Sequence, residues 1–303
     1  MATSTKTNGF PQNHELHITR LLNAPRSLVY EVWTKTEHLI NWWSPNGFTV
    51  PVCKADFKVG GKLYLEMKTA NGTIYPMSGT YKELIEPEKI VFVSAALDPN
   101  GKPYFEIENT VLLEDINGKT QLTLSAIVFN AGPEADQFLK GMKQGWNESL
   151  NKMENHSSGL FLANPIIMER VLKAPIHKVW QAISVKEHMK KWYFDLADFK
   201  AVPGFTFQFE GGKDPKAPYI HLCEVIEVIP EKKISYTWRY KGYQGLSLLS
   251  FELFEEGANT RLVLTHAGLH TFPKTNPDLA KENFVEGWTH IIHTSLKQFF
   301  EEK

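Results

Sequence analysis

The sequence predicts an α+β protein made of two tandem copies of one domain. Three observations carry that expectation: an internal repeat, strands of alternating polarity in the middle of each copy, and an amphipathic helix closing each. Ile18 to Tyr30 reads ITRLLNAPRSLVY and Met168 to Trp180 reads MERVLKAPIHKVW, in register without a gap. The same register carries Glu37-His38 onto Glu187-His188 and Trp42 onto Trp192. Further on the register drifts as loop lengths differ, yet Ile85 to Phe92 (IEPEKIVF) still matches Ile229 to Tyr236 (IPEKKISY), and Gly145-Trp146 matches Gly287-Trp288. Matches that recur in the same order mark a duplicated unit. A chain of 303 residues holds two domains at about 150 residues each, long enough for each to bury its own core. The expected division is a disordered lead-in over 1–13, a first domain over 14–155 and a second over 160–303. The polar stretch Asn155 to Gly159 (NHSSG) would link them.

Each copy opens with a short strand (Leu16 to Leu22; Ile166 to Leu172) that runs into Ala-Pro. Pro25 and Pro175 suit a first helical turn, where the missing N–H has no intrahelical partner anyway. Apolar residues then follow at helical spacing: Leu28, Val29, Val32 and Trp33, and in the second copy Ile176, Val179, Trp180 and Ile183. A second short helix ends near Trp42 or Trp192. In the middle of the copies, Leu63, Leu65 and Met67 alternate with polar neighbours, as do Leu122, Leu124 and Ala126. In the second copy Phe205, Phe207 and Phe209 alternate, as do Ile234, Tyr236, Trp238 and Tyr240. Asn71-Gly72, Asn100-Gly101, Asn117-Gly118 and Glu256-Gly257 fall between such runs and predict antiparallel hairpins. The closing helices carry Phe138, Leu139, Met142, Trp146, Leu150 and Met153 on one face, and Phe284, Val285, Trp288, Ile292, Leu296 and Phe299 on the other copy's. Pro133-Glu134 and Pro277-Asp278 supply start signals, with acidic residues at the positive helix end.

Hydrophobic residues make up 42% and charged residues 22% of the chain, ordinary for a globular protein. A net charge of -1 and the lack of a block of like charges predict neither a nucleic-acid partner nor an anionic membrane partner. Two cysteines, Cys53 and Cys223, one per copy, predict reduced, half-buried thiols in a reducing compartment. No run of 18 apolar residues predicts a membrane span. The polar start, Met1 to Glu15, lacks the apolar run of a signal peptide, so the expected location is cytoplasmic. The Asn-x-Ser/Thr triplets at Asn71, Asn147 and Asn155 then carry no glycan.

The Ala-Pro after the first strand, Val29-x-x-x-Trp33, the Trp42-Trp43 pair, the turn Val59-Gly60-Gly61-Lys62 and Gly145-Trp146 form an ordered set. Found twice, that order resembles the activator-of-heat-shock-protein-90-ATPase homologue family of the START-like (SRPBCC) superfamily. The second copy departs from it: Tyr193 stands for the second Trp, and Val202-Pro203-Gly204 replaces the Gly-Gly turn. The resemblance covers 14–153 and 164–301. It implies two helix-grip (START-like) domains, each a curved antiparallel sheet around a long C-terminal helix with two short helices. It also implies a cavity between sheet and helix suited to a small hydrophobic or amphipathic molecule. It names no ligand, because a fold does not determine a function.

Under that resemblance the ligand-binding residues are Trp42, Trp43, Phe57, Tyr81, Phe92, Met142 and Trp146 in the first copy. In the second they are Trp192, Phe205, Phe207, Tyr236, Trp238, Tyr240 and Trp288. Aromatics at these periods fit a filled core as well as a cavity wall. The second copy is expected to hold the better pocket, since its strands present rings where the first has Leu63, Leu65, Met67, Ser94 and Ala96.

No metal and no cofactor are expected. His221, the pair His266 and His270, and the pair His290 and His293 do not assemble three or four converging ligands. His14-Glu-Leu-His17 lacks the zincin spacing, and Gly60-Gly61-Lys62 and Gly211-Gly212-Lys213 lack the spacing of phosphate loops and read as hairpin turns. Glu37-His38 and Glu187-His188 fit an acid/base pair but fit a helix surface or helix-end contact better, and no Ser or Cys sits in a nucleophile elbow.

The expected function is non-enzymatic binding of a small hydrophobic or amphipathic molecule. The alternatives are a regulator of the heat-shock protein 90 ATPase, and then a cavity enzyme of the cyclase or hydrolase kind. The resemblance itself weakens the regulator reading. Eukaryotic activators join one such domain to a different N-terminal domain that does much of the stimulation, whereas both halves here resemble the C-terminal type.

Overall fold

Period-2 alternation brings apolar side chains onto one face of a strand, and here those strands pair into two antiparallel sheets. The computed structural model describes residues 15–131, 135, 139–212, 214 and 216–301. The expected lead-in over 1–13, His14, Pro133-Glu134, Phe138 and Lys213 lie outside the described residues. The chain divides into two compact units, Met1–Ser157 and Ser158–Lys303.

In the first unit, β1 (Glu15–Leu22) leads into α1 (Arg26–Trp33) and α2 (Thr36–Trp42). Six strands follow: β2 (Phe48–Ala55), β3 (Lys62–Thr69), β4 (Ile74–Ile85), β5 (Lys89–Leu97), β6 (Pro103–Ile116) and β7 (Lys119–Ala131). The helix α3 (Met142–Phe161) comes last. The sheet order is β1-β7-β6-β5-β4-β3-β2. The segment carrying α1 and α2 therefore links the two edge strands, and every other connection between strands joins neighbours. The expected hairpin turns are present. Asn117 and Gly118 both have positive φ, 56° and 82°, the two-residue turn that Asn-Gly favours because its twist matches the strands. Gly60-Gly61 closes the β2–β3 hairpin, with Asp56 N–H bonded to Lys62 C=O at 2.9 Å.

The second unit repeats the plan with β8 (Ile166–Leu172), α4 (Ile176–Ser184) and α5 (Lys186–Met189). It continues through β9 (Thr206–Gly211), β10 (Tyr219–Ile229), β11 (Lys233–Tyr240), β12 (Ser247–Glu256) and β13 (Asn259–Ala267), in the order β8-β13-β12-β11-β10-β9. The described residues between α5 and β9 form no counterpart of β2. Two hydrogen bonds recur at matching positions. The indole N–H of Trp42 donates to Val32 C=O at 3.1 Å, and that of Trp192 donates to Ala182 C=O at 2.9 Å. Thr120 donates to Ala24 C=O and Thr260 to Ala174 C=O, tying the strand to the Ala-Pro entry of the first helix. Each bond satisfies a carbonyl that burial would otherwise strand.

Three details differ from the sequence reading. First, the polar stretch 155–159 is helical, because α3 runs unbroken to Phe161. Met153, Ser157 and Phe161, spaced four apart, are all buried. The apolar stripe continues there, hidden by a small serine. Second, Pro277–Leu279 forms a separate 3₁₀ turn capped by Asn276, and the last helix starts at Lys281. Third, that helix is α6 (Lys281–His290), a π-helical turn (Ile291–Ser295) and α7 (Leu296–Glu301), and Val285 is exposed rather than on the buried face. Phe284, Trp288, Ile292 and Leu296 are the buried residues. A strict four-residue spacing drifts by about 40° per turn of an ideal α-helix, and the wider π-turn returns it to the sheet.

Gly268 lies against Phe161 within the second unit. It has φ +81°, and a Cβ there would overlap the Phe161 ring. Gly242 has nearly the same φ, +82°, with nothing near a Cβ. Gly242→Ala is therefore expected to cost about 1–2 kcal/mol from backbone conformation alone, and Gly268→Ala at least ~2 kcal/mol more by overpacking. Equal urea midpoints for the two variants would show that the Phe161 contact contributes nothing.

Candidate functional site

In the first unit, a cavity of about 680 Å³ lies between the sheet and α3. Ser94 and Ala96 of β5 and Ile107 of β6 line it on the sheet side, and Met77 of β4 and Met67 of β3 continue that wall. Phe48 and Tyr75, with rings 5.7 Å apart, lie at one side. On the helix side are Leu139, Met142, Gly145, Trp146 and Ser149. Trp43, just past the end of α2, is held among Trp33 at 5.9 Å, Phe92 at 5.5 Å and Trp146 at 5.7 Å. The neighbouring Ser44-Pro45 loop is tied to α3 by Lys152, whose ammonium donates to Pro45 C=O at 2.9 Å and to Ser44 Oγ at 3.3 Å. Partial burial lowers the pKa of that ammonium.

No charged side chain lines the cavity among the described residues. Its floor carries one built polar contact. Asn109 is fully buried, and its amide N–H₂ donates to Ser94 Oγ at 2.9 Å and to Ile107 C=O at 3.2 Å.

The equivalent space in the second unit is only about 170 Å³. Three matched positions carry larger side chains here. The IEPEKIVF/IPEKKISY match sets Ser94 against Trp238 and Ala96 against Tyr240. Ala126 faces Leu16 across the β1–β7 pair just as His266 faces Ile166 across β8–β13. Two indole or phenol rings and an imidazole thus stand where the first unit has a hydroxymethyl and two methyls. The first unit places its bulk elsewhere: Trp33, stacked 6.2 Å from Trp146, matches Ile183.

The second unit's core carries many rings among its aliphatic residues. Phe207 meets Tyr236 at 5.3 Å and Phe209 meets Trp238 at 5.3 Å, above the intervening strand β10. His221 on β10 stacks flat on Phe209 at 4.3 Å. Tyr193 and Tyr236 share a hydroxyl–hydroxyl bond of 2.8 Å. Trp288 Nε1–H donates to His266 Nδ1 at 2.9 Å, which leaves the proton of a neutral imidazole on Nε2, 2.8 Å from Ser247 Oγ. Ser247 passes its own hydrogen to Trp238 C=O at 3.2 Å. Every member of this chain is satisfied without a charge. Desolvation lowers the pKa of His266 to about 3 and that of His221 to about 4.

Of the residues named from the sequence, Trp43, Met142 and Trp146 border the first cavity, and Trp238, Tyr240 and Trp288 border the second. Trp42, Tyr81 and Phe92 are buried packing away from the cavity wall, and Phe57 packs 5.4 Å from Tyr81. Trp192, Phe207 and Tyr236 are likewise interior packing, and Phe205 sits partly buried below the Lys200 ammonium. The expectation that the second copy holds the better pocket is reversed, because its aromatics fill the volume they were expected to wall. Trp146, on the apolar face of the closing helix, is only half-buried because it borders the open space. Sequence reasoning missed Phe48, Tyr75, Phe105 and Ser149. The small residues Ser94 and Ala96 were the available signal.

His38 lies 3.2 Å from His156, a contact between α2 and α3. His188 packs 6.2 Å from Phe299. Both cysteines are free, and burial raises the pKa of Cys53 to about 11 and raises that of Cys223 as well. Among the described residues no group of three or more metal-ligating side chains forms, and no helix is long and apolar enough to cross a membrane.

The sequence matches the family described as Activator of Hsp90 ATPase homolog 1-like protein twice, over residues 23–157 and 173–301. The chain belongs to that family. Each unit of this tandem Hsp90-activator-homologue chain is thus one family domain. Several solved structures are similar to about half of it. A protein of Nitrosomonas europaea is 24% identical over 48% of this chain and 94% of its own, with a TM-score of 0.41. One of Chromobacterium violaceum is 26% identical over 46% and 94%, with a TM-score of 0.39. The AHSA1 protein of Silicibacter pomeroyi is 20% identical over 48% and 97%, with a TM-score of 0.41. No curated protein matches the chain.

The geometry sets two expected outcomes. An unfolded chain protonates its histidines near pH 6.5, before the folded His221 and His266 do. Stability held above pH ~6.5 should therefore fall as pH drops toward about 4 and, for His266, about 3, by ~1.4 kcal/mol per pH unit for each histidine. His221→Phe, which keeps the ring stack, is expected to flatten that slope in urea denaturation between pH 6 and 4, and an unchanged slope would refute the assignment. Separately, Trp288→Ala should cost about 3–5 kcal/mol, whereas Trp146→Ala should cost less than half of that because its ring already borders open space. Equal losses in chemical denaturation would contradict the difference in packing.

Proposed function

We propose that the first unit binds a small apolar or amphipathic molecule in its cavity, and that the second unit, with its core filled, is not the binding half. The observation that carries this reading is the volume. At about 680 Å³ the cavity falls in the range of about 300–1,000 Å³ usual for small-molecule sites, and its walls are mainly apolar with a few polar groups. Rings at Trp43 and Trp146 offer large rigid contact area. The described residues lining it contribute no carboxylate, imidazole or thiol, which ranks binding above general acid/base or thiolate chemistry.

Native mass spectrometry of freshly purified full chain is expected to show a retained small molecule. The neutral dye N-phenyl-1-naphthylamine should bind saturably, and Ala96→Tyr, which copies the second unit's residue at the matching position, should weaken it at least tenfold. Undiminished dye binding by that variant would move the site out of this cavity. The family's description supports a second reading, stimulation of the heat-shock protein 90 ATPase. A several-fold, saturable rise in the ATPase rate of a cognate chaperone on adding the full chain would favour it over binding.

A further inference from the structure

We infer that the ligand of the first unit is uncharged within the cavity and carries an acceptor oxygen, such as a ketone carbonyl, that takes a hydrogen bond from the Ser94 hydroxyl. This deepens the binding reading above and rests on it.

The argument starts from Asn109. Its side chain is fully buried, and the amide nitrogen lies near three acceptors: Ser94 Oγ at 2.9 Å, Ile107 C=O at 3.2 Å and Phe92 C=O at 3.4 Å. Two of these are backbone carbonyls, which only accept, so the amide is oriented with its N–H₂ toward them. Ser94 Oγ is thereby made an acceptor of the amide hydrogen. Its own hydrogen is left over, and no described protein atom accepts it. Ser94 is 4% exposed yet lines the cavity, so the hydroxyl hydrogen is available on the cavity side. A buried donor without a partner costs on the order of 1–3 kcal/mol, and a ligand oxygen there relieves that cost.

The described walls favour a neutral ligand. Aromatic, aliphatic and thioether groups with a few hydroxyls line the cavity among the described residues, and none is a cation that could pair with a carboxylate or phosphate. Transfer of an unpaired ion into such surroundings is costly by several kcal/mol. A neutral oxygen loses far less and regains a hydrogen bond from Ser94. The second unit makes the same point by contrast. Trp238 occupies the position matching Ser94, and no Asn matches Asn109, where register places Leu249 opposite His266 as Asn109 lies opposite Ala126.

A matched set of probes tests the inference on the full chain, by displacement of N-phenyl-1-naphthylamine. The probes are 2-acetylnaphthalene, which has the carbonyl, 2-ethylnaphthalene, which has its shape without the oxygen, and 2-naphthoate, which is an anion. Ser94→Ala is expected to weaken 2-acetylnaphthalene about fivefold, the size of one neutral hydrogen bond, and to leave 2-ethylnaphthalene within twofold. The ethyl probe also reports that the variant's cavity is intact. In the unmodified protein 2-naphthoate should bind at least a hundredfold more weakly than the ketone. If Ser94→Ala shifts both neutral probes alike or neither, or if the anion binds as tightly as the ketone, the inference is overturned while the binding reading stands. If neither the dye nor any probe binds the full chain, the binding reading falls and takes the inference with it.

Discussion

A curved antiparallel sheet closed by a single helix encloses a volume determined by the backbone, and the inner-face side chains decide how much of it is occupied. Both units share that backbone plan, down to the indole bonds from Trp42 to Val32 and from Trp192 to Ala182 that seat their helix pairs. The difference between an open cavity and a packed core lies in a few inward positions and in β2, whose Phe48 borders the first cavity and which has no counterpart among the described residues of the second unit. Ser94 and Ala96 border the space in one unit, whereas Trp238 and Tyr240 stand at the matching positions in the other. Close packing is the default of protein interiors, so the unfilled unit is the one that calls for a functional explanation.

Filling a core with so many polar-tipped rings carries its own demand, since each buried N–H and O–H needs a partner. The second unit meets much of it with neutral chains. Trp288, His266, Ser247 and the Trp238 carbonyl form one, and the Tyr193–Tyr236 hydroxyl pair forms another. Neutrality is what makes these chains compatible with burial, and the strongly lowered histidine pKa values are its consequence.

Duplication separates two requirements that a single domain must reconcile. A cavity costs stability because its lining loses contacts, while a filled core holds a fold firmly but admits no ligand. In this member of the Hsp90-activator-homologue family, one copy carries the cavity and the other a packed interior. The aromatic weight has moved accordingly. Three buried indoles, Trp33, Trp42 and Trp43, cluster at the helix pair of the first unit, and Phe207, Phe209, Tyr236, Trp238 and Tyr240 are buried on the sheet of the second.

The sequence by itself determined the duplication, the order of elements, the hairpin turns and the family. Each of these is written in local patterns: a repeat in register, alternation at period 2, Asn-Gly pairs, Ala-Pro before a helix. The family resemblance also named Trp43, Met142 and Trp146, which border one cavity, and helix periodicity by itself puts Met142 and Trp146, four apart, on one face. Tertiary structure alone decided which copy is hollow. Whether Tyr236 and Trp238 wall a space or fill it depends on rings from β9 reaching them over Cys223 on β10, and on His266 from a strand beyond, none of which local pattern records. Likewise the stretch 155–159 reads as a linker until Ser157 proves buried in the stripe between Met153 and Phe161. Volume is a sum over side chains distant in sequence, and so it becomes legible only when the chain is folded.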